Sequence, residues 1–188
     1  MKNKSKLLII SAVTIAALSQ TPDSLASPFY GGLSFVNNTV DFKKSERSVN
    51  KPGLDLKWSD FSNISGFIGV DINNRISAEL SHVEDEVNHL DGLAFNITSL
   101  NFNYDIPVNN YVSVLGITGI NYGNFAFGDN TKSNGYGANI GVGLSFKVPS
   151  DNKLLNKISL RPKVVRSLFR DDNVKGTTLA SLDIKVHF

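Results

Sequence analysis

Apolar and polar residues alternate one by one along much of the chain, most plainly in "GYGANIGVGLSFKV" at residues 135–148. One set of alternate positions is aromatic or aliphatic, and the other is glycine, asparagine, serine and lysine. Because successive side chains of a strand point to opposite faces, this pattern predicts a strand with one apolar face and one small, polar face. The segment is longer than an ordinary soluble strand of about 5–6 residues and suits a tilted membrane strand of roughly 9–11 residues.

Seven other segments show the same alternation and are separated by turn-forming residues. They predict strands at residues 28–36, 63–72, 75–83, 93–104, 111–122, 157–168 and 177–188. Asn73-Asn74 is expected to form a tight hairpin turn, because asparagine tolerates positive φ. In the fourth strand the apolar phase changes between Ile97 and Leu100, which predicts either a β-bulge or an inward-facing aromatic residue.

The number and spacing of these strands predict an all-β fold, an eight-stranded antiparallel transmembrane β-barrel. In lipid every backbone polar group needs an internal partner, and a closed sheet has no unpaired edge. The connections after the odd-numbered strands are mostly longer than the others, as expected for extracellular loops and periplasmic turns. Aromatic residues fall near both predicted rims, where they favour the membrane interface: Tyr104, Tyr111, Phe146 and Phe188 at the periplasmic rim, and Trp58, Phe61, Tyr122, Tyr136 and Phe169 at the extracellular rim.

The first 26 residues have the order of a secretory signal peptide. Lys2, Lys4 and Lys6 precede an apolar run at residues 7–18, and Ser24 and Ala26 occupy the small-residue positions of a cleavage site. The run is shorter than the about 20 apolar residues of a spanning helix, so a retained membrane anchor is the weaker alternative. We therefore divide the chain into a signal peptide at residues 1–26 and a barrel domain at residues 27–188.

The charge and cysteine content of the sequence narrow the classes of protein to which the chain can belong. The signal segment contains three lysines and one acidic residue, so the mature chain is near neutral and carries no basic surplus that would favour nucleic acid. The sequence contains no cysteine, so an exported domain must be held together by packing or by sheet closure.

A soluble β-sandwich or lipocalin-like barrel is the structural alternative. The glycine-rich and serine-rich second face disfavours it, because such a face is a poor solvent surface and a reasonable lining for a narrow lumen.

The segments "FYGGLSF", "LNFNYDIPVNNYVSVLGITGINYG" and "GYGANIGVGLSFKV" and the terminal Phe188 resemble bacterial outer-membrane β-barrels. That family includes opacity-type surface proteins and the transmembrane domain of outer-membrane protein A. The resemblance implies location in the outer membrane and contact with its lipid and lipopolysaccharide. It also implies a C-terminal sorting signal read by the barrel-assembly machinery, formed here by Leu182, Ile184, Val186 and Phe188. Roles in the family range over adhesion, immune evasion, membrane integrity and, occasionally, lipid enzymology, and the fold does not choose among them.

If the apolar faces point to lipid, five charged residues point into the lumen: Glu79, Arg161, Lys163, Asp183 and Lys185. Strands seven and eight are neighbours, so Arg161 or Lys163 is expected to meet Asp183, with Glu79 reaching across the barrel. Buried charges need partners, which predicts a charge network that plugs the lumen. A gated polar pathway for small solutes is the alternative.

Candidate catalytic and metal-binding residues are few. Ser81 and His82 are adjacent on one strand and therefore point to opposite faces, so they cannot act together as nucleophile and base. The acidic run Glu84–Glu86 and nearby His89 match no metal-binding loop motif. We predict no enzyme activity, no metal site and no cofactor.

The first extracellular loop is the predicted interaction surface. It is long and carries Lys43, Lys44, Arg47 and Lys51 among acidic residues. We expect an integral surface protein whose loops mediate adhesion or contact with a host or cell-surface ligand. A purely structural barrel or a minor small-solute pore is the alternative.

Overall fold

The computed structural model is an antiparallel β-sheet of eight strands that closes on itself as a barrel. It describes residues 28–42, 63–87, 93–127, 132–150, 152, 155–171 and 173–188. The strands are β1 (Phe29–Phe42), β2 (Asn63–Asp71), β3 (Ile76–Val87), β4 (Leu93–Pro107), β5 (Val112–Ala126), β6 (Lys132–Lys147), β7 (Ile158–Phe169) and β8 (Val174–His187). Each pairs with its neighbours in the chain, and β8 pairs with β1. In these segments no helix has the length and apolar character needed to cross a membrane.

The predicted fold class is confirmed, but several strands extend further than the alternating pattern indicated. β1 continues to Phe42 through "NNTVDF", and β3 continues to Val87 through the acidic residues after His82. The β3 extension pairs regularly with β4, and the β1 extension pairs with β8 with one register shift between Asp41 and Phe42. Backbone hydrogen bonds do not depend on apolar side chains, so the strands continue where the hydrophobic signal fades.

The strands tilt relative to the barrel axis, and the pairing register shows it. Following paired residues from Gly31 of β1 round the barrel leads back to β1 at Asp41, further along the same strand. The path passes through Ile68, Leu80, Leu100, Ile120, Ala138, Leu168 and Gly176. Such an offset is required for a closed sheet and accompanies strand tilt.

The outward face of the barrel is apolar and the inner face is rich in polar groups. Ile140 and Val142 of β6 are each 65% exposed on the outside. On the inside, Glu79, Asn101 and Asp183 are all buried. A soluble barrel or sandwich would have the opposite distribution, so the outward face is suited to lipid.

Two of the short connections form the same kind of turn, each capped by an asparagine side chain. Between β2 and β3, Asn73 Oδ1 accepts hydrogen bonds from the backbone N–H groups of Arg75 and Ile76, both at 2.9 Å. Between β4 and β5, Asn109 Oδ1 accepts equivalent bonds from Tyr111 and Val112, both at 2.8 Å. The predicted tight turn at Asn73-Asn74 is therefore part of a four-residue connection between Asp71 and Ile76. We call the end of the barrel that carries these turns the short-turn end, and the opposite end the long-loop end.

The phase change in β4 comes from inward aromatic and aliphatic residues rather than from a bulge. The register of β4 with β3 and β5 is continuous. Phe95 and Ile97 are 3% and 1% exposed and face the lumen at the long-loop end.

Phe169 was predicted in the aromatic ring at the extracellular rim, and this placement is wrong. Its side chain is buried in the lumen, with its ring centroid 5.2 Å from that of Phe125. Phe169 lies in the same alternating phase as Arg161 and Lys163, which explains its direction. Tyr122 and Tyr136 do lie on the outward face as a ring pair, 4.9 Å apart between centroids. Trp58 and Phe61 lie outside the described residues.

We expect the substitution Gly69→Ala to destabilise the barrel. A Cβ at Gly69 would lie 2.3 Å from Cζ of Tyr30, which is buried on the inner face. Overpacking of this kind typically costs about 1–3 kcal/mol. The urea midpoint of the refolded protein in detergent micelles should therefore fall. Gly116→Ala is the matched control, because a Cβ there meets nothing within 4 Å. Equal midpoints for the two variants would contradict this account of Gly69.

Candidate functional site

Four charged side chains meet at the centre of the lumen. Arg161 of β7 contacts Glu79 of β3 at 2.6 Å and Asp183 of β8 at 3.1 Å. Lys163 of β7 contacts Glu79 at 3.1 Å and Asp183 at 2.7 Å. We call these four residues the central charge lattice. Since β3 and β7 lie on opposite sides of an eight-stranded ring, the contacts from Glu79 cross the full width of the lumen.

The central charge lattice is buried and balanced in charge. Glu79 is 1% exposed and Asp183 is 0% exposed, and two carboxylates face two cations. Ser181 Oγ donates a further hydrogen bond to Asp183 Oδ1 at 3.0 Å. Isolated charges at this depth would carry a large desolvation cost, whereas partners and additional hydrogen bonds offset it. The arrangement can therefore fill the middle of the lumen without an uncompensated charge.

Two inward aromatic rings also contact the cations of the lumen. The guanidinium carbon of Arg161 lies 4.8 Å from the ring centroid of Phe67, and Lys163 Nζ lies 5.5 Å from it. Lys185 Nζ lies 3.6 Å from the ring centroid of Tyr30. Cations over aromatic faces at such distances are attracted by the ring quadrupole. The sequence analysis did not place either ring in the lumen. Phe67 nevertheless has the same alternating phase as Ser65 and Asp71. Ile64 and Ile68 have the opposite phase and face outward.

Lys185 faces the lumen, but its carboxylate partner is Asp71 of β2. The distance from Lys185 Nζ to Asp71 Oδ1 is 3.2 Å, and His187 Nε2 lies 2.8 Å from Asp71 Oδ2. These three residues lie closer to the short-turn end than the central charge lattice. The five charged residues singled out in the sequence therefore divide into the lattice of four and a separate pairing of Lys185.

A polar cavity of about 790 Å³ occupies the short-turn end of the lumen. Its lining includes Asp71, Asp105, Lys147, Lys185 and His187, together with the asparagines of the turns. Both signs of charge and many hydroxyl and amide groups surround it. The cavity can hold water or a small polar solute.

Toward the long-loop end, the lumen is filled first by amides and then by apolar side chains. Asn139 Nδ2 donates to Asn101 Oδ1 at 2.8 Å, and Ser167 Oγ donates to Asn139 Oδ1 at 2.7 Å. Beyond this layer lies the apolar plug, by which we mean Val36, Val83, Phe95, Ile97, Phe125, Phe169 and Val174. A continuous aqueous path would have to pass both this plug and the central charge lattice.

The other singled-out residues have different positions. Leu182, Ile184, Val186 and Phe188 belong to the outward phase of β8, and the first three pair with Phe35, Leu33 and Gly31 of β1. Phe188 N donates to Phe29 O at 3.1 Å. Lys43, Lys44, Arg47 and Lys51 lie outside the described residues.

The structure offers little for catalysis or metal binding in the segments that it describes. His82 Nδ1 lies 2.9 Å from Thr98 Oγ1 on the outward face, whereas Ser81 belongs to the inward phase of β3. Across these segments no group of three or more histidine, cysteine or acidic side chains is arranged to hold a metal ion.

Comparisons with known proteins agree with this architecture. A family described as the outer membrane protein beta-barrel domain matches residues 7–180. The N-terminal barrel of Pseudomonas aeruginosa OprF is 15% identical, with a TM-score of 0.59, and the match covers 87% of this chain and 100% of that one. Neisserial surface protein A is 15% identical, with a TM-score of 0.54 and coverage of 88% and 100%. No significant match is found among curated protein sequences.

The substitution Glu79→Ala should destabilise the protein strongly. It removes one of the two carboxylates that Arg161 and Lys163 share and leaves Asp183 alone to balance two buried cations. Breaking a buried ion pair typically costs about 3–5 kcal/mol. We therefore expect a lower urea midpoint in detergent micelles. Glu84→Ala, at an exposed position of the same strand, should change stability by less than about 0.5 kcal/mol.

If Glu79→Ala lowers the free energy of unfolding by only about 0–1 kcal/mol, the value for an exposed ion pair, water must screen these cations. That result would contradict the filled, buried centre of the lumen.

Proposed function

The chain belongs to the family of outer membrane protein β-barrel domains, and we propose that it is a closed barrel that displays its extracellular loops for adhesion or contact with a host or cell-surface ligand. Members of this family lie in the bacterial outer membrane, and so does this protein. In such barrels the short turns face the periplasm and the longer loops face the cell exterior. The long-loop end is then the surface available to other cells.

The observation that carries the proposal is the filled lumen. The central charge lattice crosses the middle of the barrel, and the apolar plug fills the long-loop end. A lumen of this kind disfavours transport as the main activity. The loops are then the natural carriers of a specific function.

Within the loops, the first connection is the best candidate contact surface. Lys43, Lys44, Arg47 and Lys51 lie there, with acidic residues between them. Mixed charge suits adaptable contacts with proteins or with acidic polysaccharides. Cationic side chains would also increase the association rate with an acidic surface.

A structural barrel or minor pore is the second candidate, and the polar cavity at the short-turn end favours it. The cavity reaches Asp71 and Lys185 from the periplasmic side, so water can enter that end of the lumen. Rearrangement of the lattice and the plug would then be needed for conduction. Current through the native protein in planar bilayers distinguishes the two candidates, because a closed barrel should conduct little.

Removing the cationic side chains of the first loop should reduce adhesion. We expect a variant with Lys43, Lys44, Arg47 and Lys51 replaced by glutamine to lower the binding of expressing cells to host cells, most clearly at low salt, where charges are least screened. Arg75→Gln, at an exposed turn of the short-turn end, is the matched control and should bind as the native protein does.

Equal binding by the loop variant, by Arg75→Gln and by cells that lack the protein would refute the adhesion proposal. Surface display must be verified for each variant by antibody labelling of intact cells.

We also propose that residues 1–26 are a cleaved signal peptide and that Phe188, Val186, Ile184 and Leu182 form the sorting signal. Deleting Phe188 should impair assembly in the outer membrane far more than His187→Ala. The first change removes an outward aromatic residue whose ring lies against Gly31, and the second alters a lumen-facing position that contacts Asp71. Folded protein in outer-membrane fractions is the measurement. Equal yields of the two variants would contradict the assignment.

A further inference from the structure

The polar cavity at the short-turn end has a basic wall and an acidic wall. The basic wall is formed by β6, β8 and the segment that leads into β7, and its basic side chains are Lys147, Lys157, Lys185 and His187. The acidic side chains, Asp71 and Asp105, come from β2 and β4. In a ring of eight strands β2 faces β6 and β4 faces β8, so the two kinds of charge lie on different sides of the cavity.

Asp71 has partners on the basic wall, whereas Asp105 has none. Lys185 and His187 both contact Asp71. In the part of the chain that the structure describes, no basic side chain lies within ion-pair distance of Asp105, and no carboxylate lies within that distance of Lys147. The cavity therefore presents one carboxylate and one ammonium group that the protein itself does not neutralise.

A serine hydroxyl lies between two lysines on the basic wall. Ser159 of β7 pairs with Lys147 of β6 on one side and with Lys185 of β8 on the other. Directly opposed side chains on neighbouring strands have Cβ atoms about 4.5–5.5 Å apart. Ser159 is 6% exposed and lines the cavity, and its hydroxyl bonds to none of the described residues. A hydroxyl donor between two ammonium groups suits a carboxylate, because charge-assisted hydrogen bonds are the strong ones.

The distance between the two subsites selects the length of a ligand. Asp105 and Ser159 lie three strands apart around the ring, and both side chains are short. A free amino acid carries its ammonium and carboxylate groups on one carbon atom and cannot reach both. A peptide of two or three residues extends by about 3.3–3.6 Å per residue and can bridge the cavity.

The remainder of the lining suits peptide groups. Asn74, Asn110 and Asn156 surround the mouth of the cavity, and each side-chain amide offers two N–H donors and a carbonyl acceptor. The volume of about 790 Å³ falls within the range of about 300–1,000 Å³ that is usual for ligand pockets.

We propose that this cavity binds short peptides with free termini. Asp105 accepts hydrogen bonds from the terminal ammonium group, and Ser159, Lys147 and Lys185 donate to the terminal carboxylate. A zwitterion gives both unneutralised groups a partner, whereas a simple anion would leave Asp105 without one. The cavity is reached from the short-turn end, so binding takes place from the periplasmic side and does not require the lumen to conduct.

The test uses the native protein refolded in phosphatidylcholine nanodiscs, with trialanine as the probe and isothermal titration calorimetry as the measurement. Trialanine should bind saturably. N-acetyl-trialanine and trialanine amide should each bind at least about tenfold more weakly, since each loses one charge-assisted contact. Free alanine should also bind at least about tenfold more weakly, because it reaches only one subsite.

Two variants assign the termini to their subsites. Asp105→Asn should weaken trialanine binding about tenfold and leave the binding of N-acetyl-trialanine unchanged. Lys147→Gln should weaken trialanine binding and leave that of trialanine amide unchanged. Neither change breaks an ion pair of the described residues. Glu84→Gln and Lys132→Gln, exposed at the long-loop end, are the matched controls and should bind trialanine as the native protein does.

Four results would overturn the proposal, and the first three need no variant. They are the absence of saturable trialanine binding, equal binding of the blocked and unblocked peptides, and binding of free alanine as tightly as trialanine. The fourth is an equal loss of trialanine and N-acetyl-trialanine binding in Asp105→Asn, because the carboxylate would then act on the shape of the cavity rather than on the ammonium group.

Discussion

Pairing of β8 with β1 is the constraint on which the rest of the structure depends. In a lipid environment an unpaired strand edge would expose backbone N–H and C=O groups that no solvent can satisfy. Closure removes both edges, and the register from Tyr30 with His187 to Phe42 with Val174 joins the two ends of the described chain. The tilt, the alternation of faces and the narrow lumen all follow from closing eight strands into one ring.

A narrow lumen has to be filled, and this barrel fills it with different chemistry at different heights. At the centre, Glu79 connects β3 to β7 through Arg161 and Lys163, so one acidic side chain braces opposite walls. Toward the long-loop end, the aromatic and aliphatic side chains of the apolar plug replace charge. The short-turn end keeps a polar cavity. A barrel with an apolar exterior can hold these buried ions in its lumen and remain stable, because each ion has a counter-ion.

The alternating period predicted the strands, the closed barrel and the facing of the lumen charges, because a period of two assigns every residue to one of two faces. Adjacent strands also allowed Arg161 to be matched with Asp183. The same reasoning misplaced Phe169 and missed Tyr30 and Phe67, because an aromatic residue is acceptable both in lipid and inside a barrel. It did not identify Asp71 as the partner of Lys185. Contacts across a lumen depend on the stagger between strands, and the pattern along one strand carries no information on that stagger.

Departures from the alternating rule are the most informative positions on such a barrel. Sheet closure and lipid contact account for the apolar residues of the outward face, so Leu182 or Ile184 says little about a particular activity. Arg166 is not explained in this way, because an outward cation with its own carboxylate partner and a glycine beside it has no role in closing the sheet. Local exceptions to an otherwise consistent pattern concentrate at functional sites. The outward ion pair of Arg166 with Asp41 is therefore a feature that sheet closure and lipid contact do not explain.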